Sequence, residues 1–126
     1  MKKIINTAHA PSPIGPYSQA VKVDNILYTS GQIAINPENG LLVLSDIKSE
    51  TKQVMENIKA ILDASEMSFN HIVKATIFIS DMNNFAAINE IYGSYFHSDF
   101  PARETVQVSR LPKDVNVEIS VIAINH

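Results

Sequence analysis

The chain has 126 residues, 45% of them hydrophobic and 18% charged, and a net charge of −3, which fits one ordinary globular domain spanning residues 1–126. It contains no cysteine, so disulfides, thiolate nucleophiles and Cys-ligated metals are excluded. Its ten lysines and arginines are scattered, without the basic stripe of a nucleic-acid surface. The N-terminus, Met1 to Thr7, lacks the apolar h-region of a signal peptide. No apolar run approaches the roughly 20 residues of a membrane span. The expectation is a soluble, cytoplasmic protein, for which the absence of cysteine fits a reducing compartment.

Lys3 to Ile5 is a short apolar start, and His9 to Tyr17, with three prolines and Gly15, is a loop. Ala20–Val23 and Ile26–Thr29 flank Asp24-Asn25 and predict a hairpin. Gln32–Ile35 and Leu41–Leu44 flank Asn36 to Gly40 and predict a second, with Gly40 at positive φ. The period then changes. Ile47, Val54, Ile58, Ile61 and Leu62 recur at helical spacing from about Ile47 to Ser65, with Ser45 or Asp46 able to cap the start. Ile72–Ile79 is β-branched and predicts a central strand. Phe85, Ile88, Tyr92 and Phe96 predict a second amphipathic helix opened by Asn83-Asn84. Thr105–Ser109 and Val115–Ile124 complete the chain as strands joined through Pro112. The order β-β-β-β-α-β-α-β-β is an α+β pattern.

Two helices cover only one face of such a sheet. Yet the last strand is apolar on both faces, with Val117, Ile119, Val121 and Ala123 on one and Ile122 and Ile124 on the other. An uncovered apolar face calls for a partner. Another copy in a closed symmetric oligomer is the simplest one, and the short loops favour it over coverage by loops.

Four histidines, His9, His71, His97 and His126, show no metal-ligand spacing, and no serine lies in a nucleophile elbow. The informative charges are two. Glu118 sits inside an apolar strand, its own face shared with Asn116 and Ser120. It is either a structural ion pair or exposed strand position, or a carboxylate in a cleft that accepts hydrogen bonds from a water. Arg103 follows Pro101-Ala102. It either pairs with Glu118, Glu104 or Asp99, or offers its fork to a ligand carboxylate. Tyr17 and Ser30-Gly31 are either turn residues or cleft walls, with the Gly31 N–H a candidate donor. Asn89, beside the stripe of the second helix, either ties loops together or lines the cleft.

Ile14-Gly-Pro-Tyr17, Ser30-Gly-Gln-Ile33, Asp81-Met-Asn-Asn-Phe85, Pro101-Ala-Arg103 and Arg110-Leu-Pro-Lys-Asp-Val115 with Val117-Glu-Ile119 together resemble the RidA (YjgF) family over essentially the whole chain. The resemblance implies a chorismate-mutase-like α+β domain with a mixed sheet and two helices on one face. It also implies a homotrimer with a barrel-like core and ligand clefts between subunits. The implied activity is hydrolysis of 2-iminobutanoate and 2-iminopropanoate, released by pyridoxal-phosphate dehydratases, to 2-keto acids and ammonia, without metal or cofactor. The implied ligand is a small 2-imino or 2-keto acid, with no membrane or nucleic-acid partner. Some relatives are described instead as regulatory or chaperone-like binding proteins, and others as endoribonucleases, which this acidic chain does not suggest. Residue by residue, the resemblance puts Arg103 on the substrate carboxylate and Glu118 on the attacking water. Thr105 and Gly31 supply backbone contacts, and Tyr17, Ser30 and Asn89 line or brace the cleft. Relatives with the deaminase often read Arg-Ser-Cys where this chain reads Arg103-Glu104-Thr105. Glu104 is therefore expected to add a competing charge near Arg103. Ser65-Glu66 stands where relatives usually close the first helix with glycine.

Overall fold

The structure, a computed structural model, describes residues 1–126. Six strands are formed by Lys2–Ile5 (β1), Ala20–Val23 (β2), Ile26–Thr29 (β3), Ile72–Ile79 (β4), Ala102–Gln107 (β5) and Val117–Ile124 (β6). The helices are Ile47–Ala64 (α1) and Phe85–Gly93 (α2). The strands form one sheet in the order β1-β2-β3-β6-β4-β5. Only β4 and β5 pair in parallel, joined through α2, so the sheet is mixed and β5 lies at its edge.

Alternation places every second residue of the central strands on each face. Ala75, Ile77, Ile79, Val117, Ile119, Val121 and Ala123 are buried in one core with Val54, Met55, Ile58, Ile61 and Leu62 of α1 and Ile88 and Tyr92 of α2. Both helices therefore cover the same face, as expected. The opposite face carries Tyr28, Phe78, Val106, Ile122 and Ile124, with Tyr28 46% and Val106 43% exposed. No helix packs over it; a small cluster of Ile33, Leu111 and Val115 covers its Phe78 end.

Asp46 caps α1, its Oδ1 accepting from the Ser49 amide at 2.8 Å. The helix closes with Glu66 N–H donating to the Asp63 carbonyl and Met67 N–H to that of Leu62. This is a Schellman arrangement, and it forces Glu66 to φ 58, the left-handed region that glycine adopts without strain. Glu66→Gly is therefore expected to stabilise the protein by about 1 kcal/mol, read as a higher midpoint in thermal or urea unfolding.

Four expectations are corrected, the first being the strand expected over Thr105–Ser109, which begins three residues earlier at Ala102 and ends at Gln107 along its parallel pairing with β4. The second hairpin keeps its turn, with Gly40 at φ 74, but its flanks reduce to a single bridge between Ile35 and Leu42. Its carbonyls are taken elsewhere: Asn57, buried on α1, donates through Nδ2 to Ile33 and Ile35. Lys2–Ile5, read as a short start, is a full edge strand on β2. The second helix stops at Gly93 and leaves Phe96 in the following turn, where its ring meets those of Tyr92 and Phe69. Its entry is fixed by Asp81, which accepts from the Asn83 amide, while Asn84 makes no side-chain cap.

The proline-rich loop is tied down by one buried side chain. Gln19 Nε2 donates to the carbonyls of Thr7, Ala10 and Pro11, and its Oε1 accepts from Thr7 N–H. That anchoring sets Ile14 and Tyr17 beside the start of the next loop.

Candidate functional site

Register decides where the two informative charges point. In the parallel β4–β5 pair, Arg103 lies beside Ala75 and Thr105 beside Ile77, both on the helix-covered face. In the antiparallel β4–β6 pair, Glu118 lies opposite Phe78 on the face away from the helices. Arg103 and Glu118 thus project from opposite sides of the sheet, and the ion pair between them is ruled out within one chain. The pairings of Arg103 with Glu104 and Asp99 are absent as well, since the ion pairs of the structure are Lys48–Glu90, Lys74–Glu104 and Arg110–Asp114.

Arg103 is half-buried and braced. Its Nη1 donates to Asn89 Oδ1 at 2.7 Å. Its guanidinium carbon lies 5.2 Å from the centroid of the Tyr92 ring and 5.7 Å from that of Phe85. Asn89 and Tyr92 stand three residues apart on α2, so one helix face supplies both a hydrogen bond and an aromatic seat. The cation opens on a cavity of about 330 Å³ lined by Asn89, Tyr92, Gly93, Phe100, Pro101 and Arg103. A held guanidinium with no carboxylate of its own is equipped to take an anion bidentately. Beside it, the Tyr92 and Thr105 hydroxyls are buried without a hydrogen-bond partner. Burial pushes the Tyr92 phenol up, offset in part by the Arg103 charge.

Glu104 does not compete with this cation. It projects to the other face, where Lys74 and Thr76 engage its carboxylate and hold it below the usual carboxylate range, the Lys74 hydrogen bond acting most strongly.

Glu118 lines a second cavity, of about 350 Å³, with Ile14, Tyr17, Ser30, Gly31, Ile33 and Pro112. Burial among these mostly uncharged walls raises its carboxyl above the ordinary value. The Tyr17 hydroxyl accepts from the Ile14 amide, and Ser30 Oγ donates to the Ser18 carbonyl at 2.6 Å. The backbone at Gln32 exchanges both hydrogen bonds with Ile119, which locks Gly31 against β6.

The expected residues therefore fall into two groups. Tyr17, Ser30, Gly31 and Glu118 meet in one cavity, and Arg103 and Asn89 meet in the other with Thr105 adjacent. Tyr92 and Phe85 as braces of the cation, and Ile33 and Pro112 as walls beside Glu118, were not singled out from the sequence. The i,i+3 spacing of Asn89 and Tyr92 on α2 was the available signal for the first pair.

Fold and cavities together define a small α+β domain with a braced cation on one side of its sheet and a half-buried carboxylate on the other. The chain belongs to the RidA (YjgF) family: the family model described as endoribonuclease L-PSP matches residues 7–125. A RutC family protein of Pyrococcus horikoshii is 55% identical over 123 residues, covering 98% of each chain. The 2-iminobutanoate/2-iminopropanoate deaminase of Capra hircus is 48% identical over 124 residues, covering 98% of this chain and 90% of that one. Among solved structures, Escherichia coli TdcF with bound serine is 44% identical with a TM-score of 0.95, covering 98% of this chain and 99% of that one. The six-stranded mixed sheet with two helices matches this family's structures. No helix is long and apolar enough to cross a membrane.

Proposed function

We propose that the protein is a deaminase of 2-iminobutanoate and 2-iminopropanoate, working without a cofactor as a homotrimer whose subunits join the two half-sites. The observation that carries this reading is Arg103, half-buried, braced by Asn89 and Tyr92 and free of any carboxylate partner. Such a group suits the carboxylate of a small 2-imino acid. The deaminase name of the mammalian relative and the serine bound to TdcF support a ligand of that size and charge. The exposed apolar face of the sheet supports assembly, since a second copy laid on it removes Tyr28, Val106 and Ile122 from water. Assembly also supplies what one chain lacks, a carboxylate opposite the arginine.

In this reading Arg103 holds the substrate carboxylate, with the backbones of Thr105 and Gly31 as further contacts. Tyr17, Ser30 and Asn89 line or brace the cleft. Water adds to the imine carbon while Glu118 takes one of its protons. Glu118 passes that proton to the imine nitrogen, which gives the neutral carbinolamine. It then takes the hydroxyl proton and returns it to nitrogen, so that the C–N bond breaks as the C=O bond forms and ammonia leaves with the 2-keto acid. An imine is already electrophilic, so positioning and one proton-transferring carboxylate suffice.

The test is a coupled assay in which a pyridoxal-phosphate dehydratase supplies the imine and keto-acid release is followed. The protein should accelerate release, and light scattering should give three times the 13.9 kDa chain mass. Binding of a keto acid at Arg103 with no acceleration would replace the deaminase by a binding protein. Glu118→Gln should lower kcat by about 100-fold or more while KM changes little. The ionised carboxylate is the form that accepts the proton. Activity should therefore fall as pH drops through the Glu118 pKa, which burial places above the ordinary value of about 4.3. Glu118→Gln should lose that limb of the pH profile.

A further inference from the structure

Gly31 leaves a gap that the Glu118 side chain fills. A Cβ built on Gly31 would lie 2.7 Å from Cδ and Oε2 of Glu118 and 2.9 Å from its Cγ. All three distances are well inside the roughly 3.5–4.0 Å of an unstrained carbon contact. The backbone around Gly31 has no room to retreat. On one side, Ser30 N–H donates to the Gln19 carbonyl at 2.9 Å and Ser30 Oγ to that of Ser18 at 2.6 Å. On the other, Gln32 N–H donates to Ile119 at 2.8 Å, and Ile119 N–H returns a bond to Gln32 at 3.1 Å. Thr29 Oγ1 accepts from Val121 N–H at 2.9 Å, a second bolt onto β6.

We propose that Gly31 is a positioning residue whose bare Cα seats the Glu118 carboxylate in its working orientation, so that any side chain at position 31 turns that carboxylate away. This rests on the reading of Glu118 as the water-holding group. It is distinct from a backbone contact to ligand, because an alanine keeps the N–H in place.

The conflict is confined to the two side chains. Gly31 does not have positive φ, so alanine suits its backbone. The atoms in the way belong to a flexible side chain, so the added methyl displaces the carboxylate and leaves the fold intact. The displaced group cannot settle against Ile14, Ile33 or Pro112, which offer little to a charge. It swings out of the cavity towards water.

The experiment compares Gly31→Ala, Glu118→Gln and the double variant in the full-length protein. Gly31→Ala is expected to lower kcat by about 100-fold, with KM within about threefold and a thermal midpoint within a few degrees of the parent. The double variant is expected to be no slower than Glu118→Gln alone, since the methyl acts only through that carboxylate. Independently of turnover, the Glu118 carboxyl carbon is titrated by NMR. In Gly31→Ala it should return to the ordinary glutamate range near 4.3. Wild-type kcat in Gly31→Ala, losses that add in the double variant, or an unchanged titration would each overturn the proposal. A parent protein that fails to hydrolyse imines would overturn the proposed function, and the titration alone would then decide the role of Gly31.

Discussion

Arg103→Ala is expected to lower kcat/KM for imine hydrolysis by at least about 100-fold. Two charge-assisted hydrogen bonds to a carboxylate contribute about 1.5–3 kcal/mol each, which corresponds to roughly 10²- to 10⁴-fold in rate. Asn89 and Tyr92 hold the guanidinium in place before any ligand arrives, so little of that interaction is spent on ordering the side chain. The same variant tests the split between faces. Chains carrying Arg103→Ala and chains carrying Glu118→Gln are each expected to be inactive alone. Unfolded together and refolded, they should regain about a quarter of the parent activity, because a site between subunits draws its arginine and its glutamate from different chains. No recovery in mixed assemblies would show that the two residues serve one subunit and would remove the shared site.

Glu50→Ala is expected to cost about 3–5 kcal/mol of stability, a fall of roughly 10–20 °C in the thermal midpoint. Glu50 is 1% exposed in the first turn of α1. Its carboxylate accepts from the backbone N–H and side-chain Nδ2 of Asn116, both at 2.8 Å, and from Val117 N–H at 3.3 Å. Asn116 in turn accepts from Ser80 through its carbonyl and Oδ1. Removing the carboxylate strands three donors at the point where β6 begins, two residues before Glu118. A loss under about 1 kcal/mol in urea unfolding would mean that these donors find other partners and that β6 is anchored elsewhere.

The elements most legible in the sequence were those whose period was long or whose composition was one-sided. Ile47 to Leu62 carried a helical stripe over more than four turns, and Ile72–Ile79 was dense in β-branched residues; both elements appear within a residue of their expected bounds. The residues around Gly40 specified a turn correctly, but local pattern could not show that Asn57 would take the flanking carbonyls from across the chain. Glu50 was legible in principle. It falls on the apolar stripe, three residues after Ile47 and four before Val54, where a charge needs buried partners.

The candidate site was legible in its parts and not in its arrangement. Arg103 and Glu118 were suspect because each interrupts an apolar run. Their relation depends on β5 joining β4 in parallel while β6 joins it in reverse, a matter of register that neither segment encodes alone. Glu104 illustrates the same point: adjacent in sequence to Arg103, it is a sheet thickness away in space and bound to Lys74.

The two halves also differ in how far the chain must travel to build them. Arg103 and Asn89 are separated by 14 residues within one strand–helix–strand unit. The Glu118 half requires the loop after β3 to be bolted to β6, across a separation of 92 residues between Thr29 and Val121. Closing the longer loop costs more chain entropy. The Arg103 half can therefore organise while β6 is still unplaced, and the Glu118 half is completed only when β6 docks. During synthesis β6 emerges after both α2 and β5, so on the proposed reading the group that holds the ligand is in place before the group that acts on it.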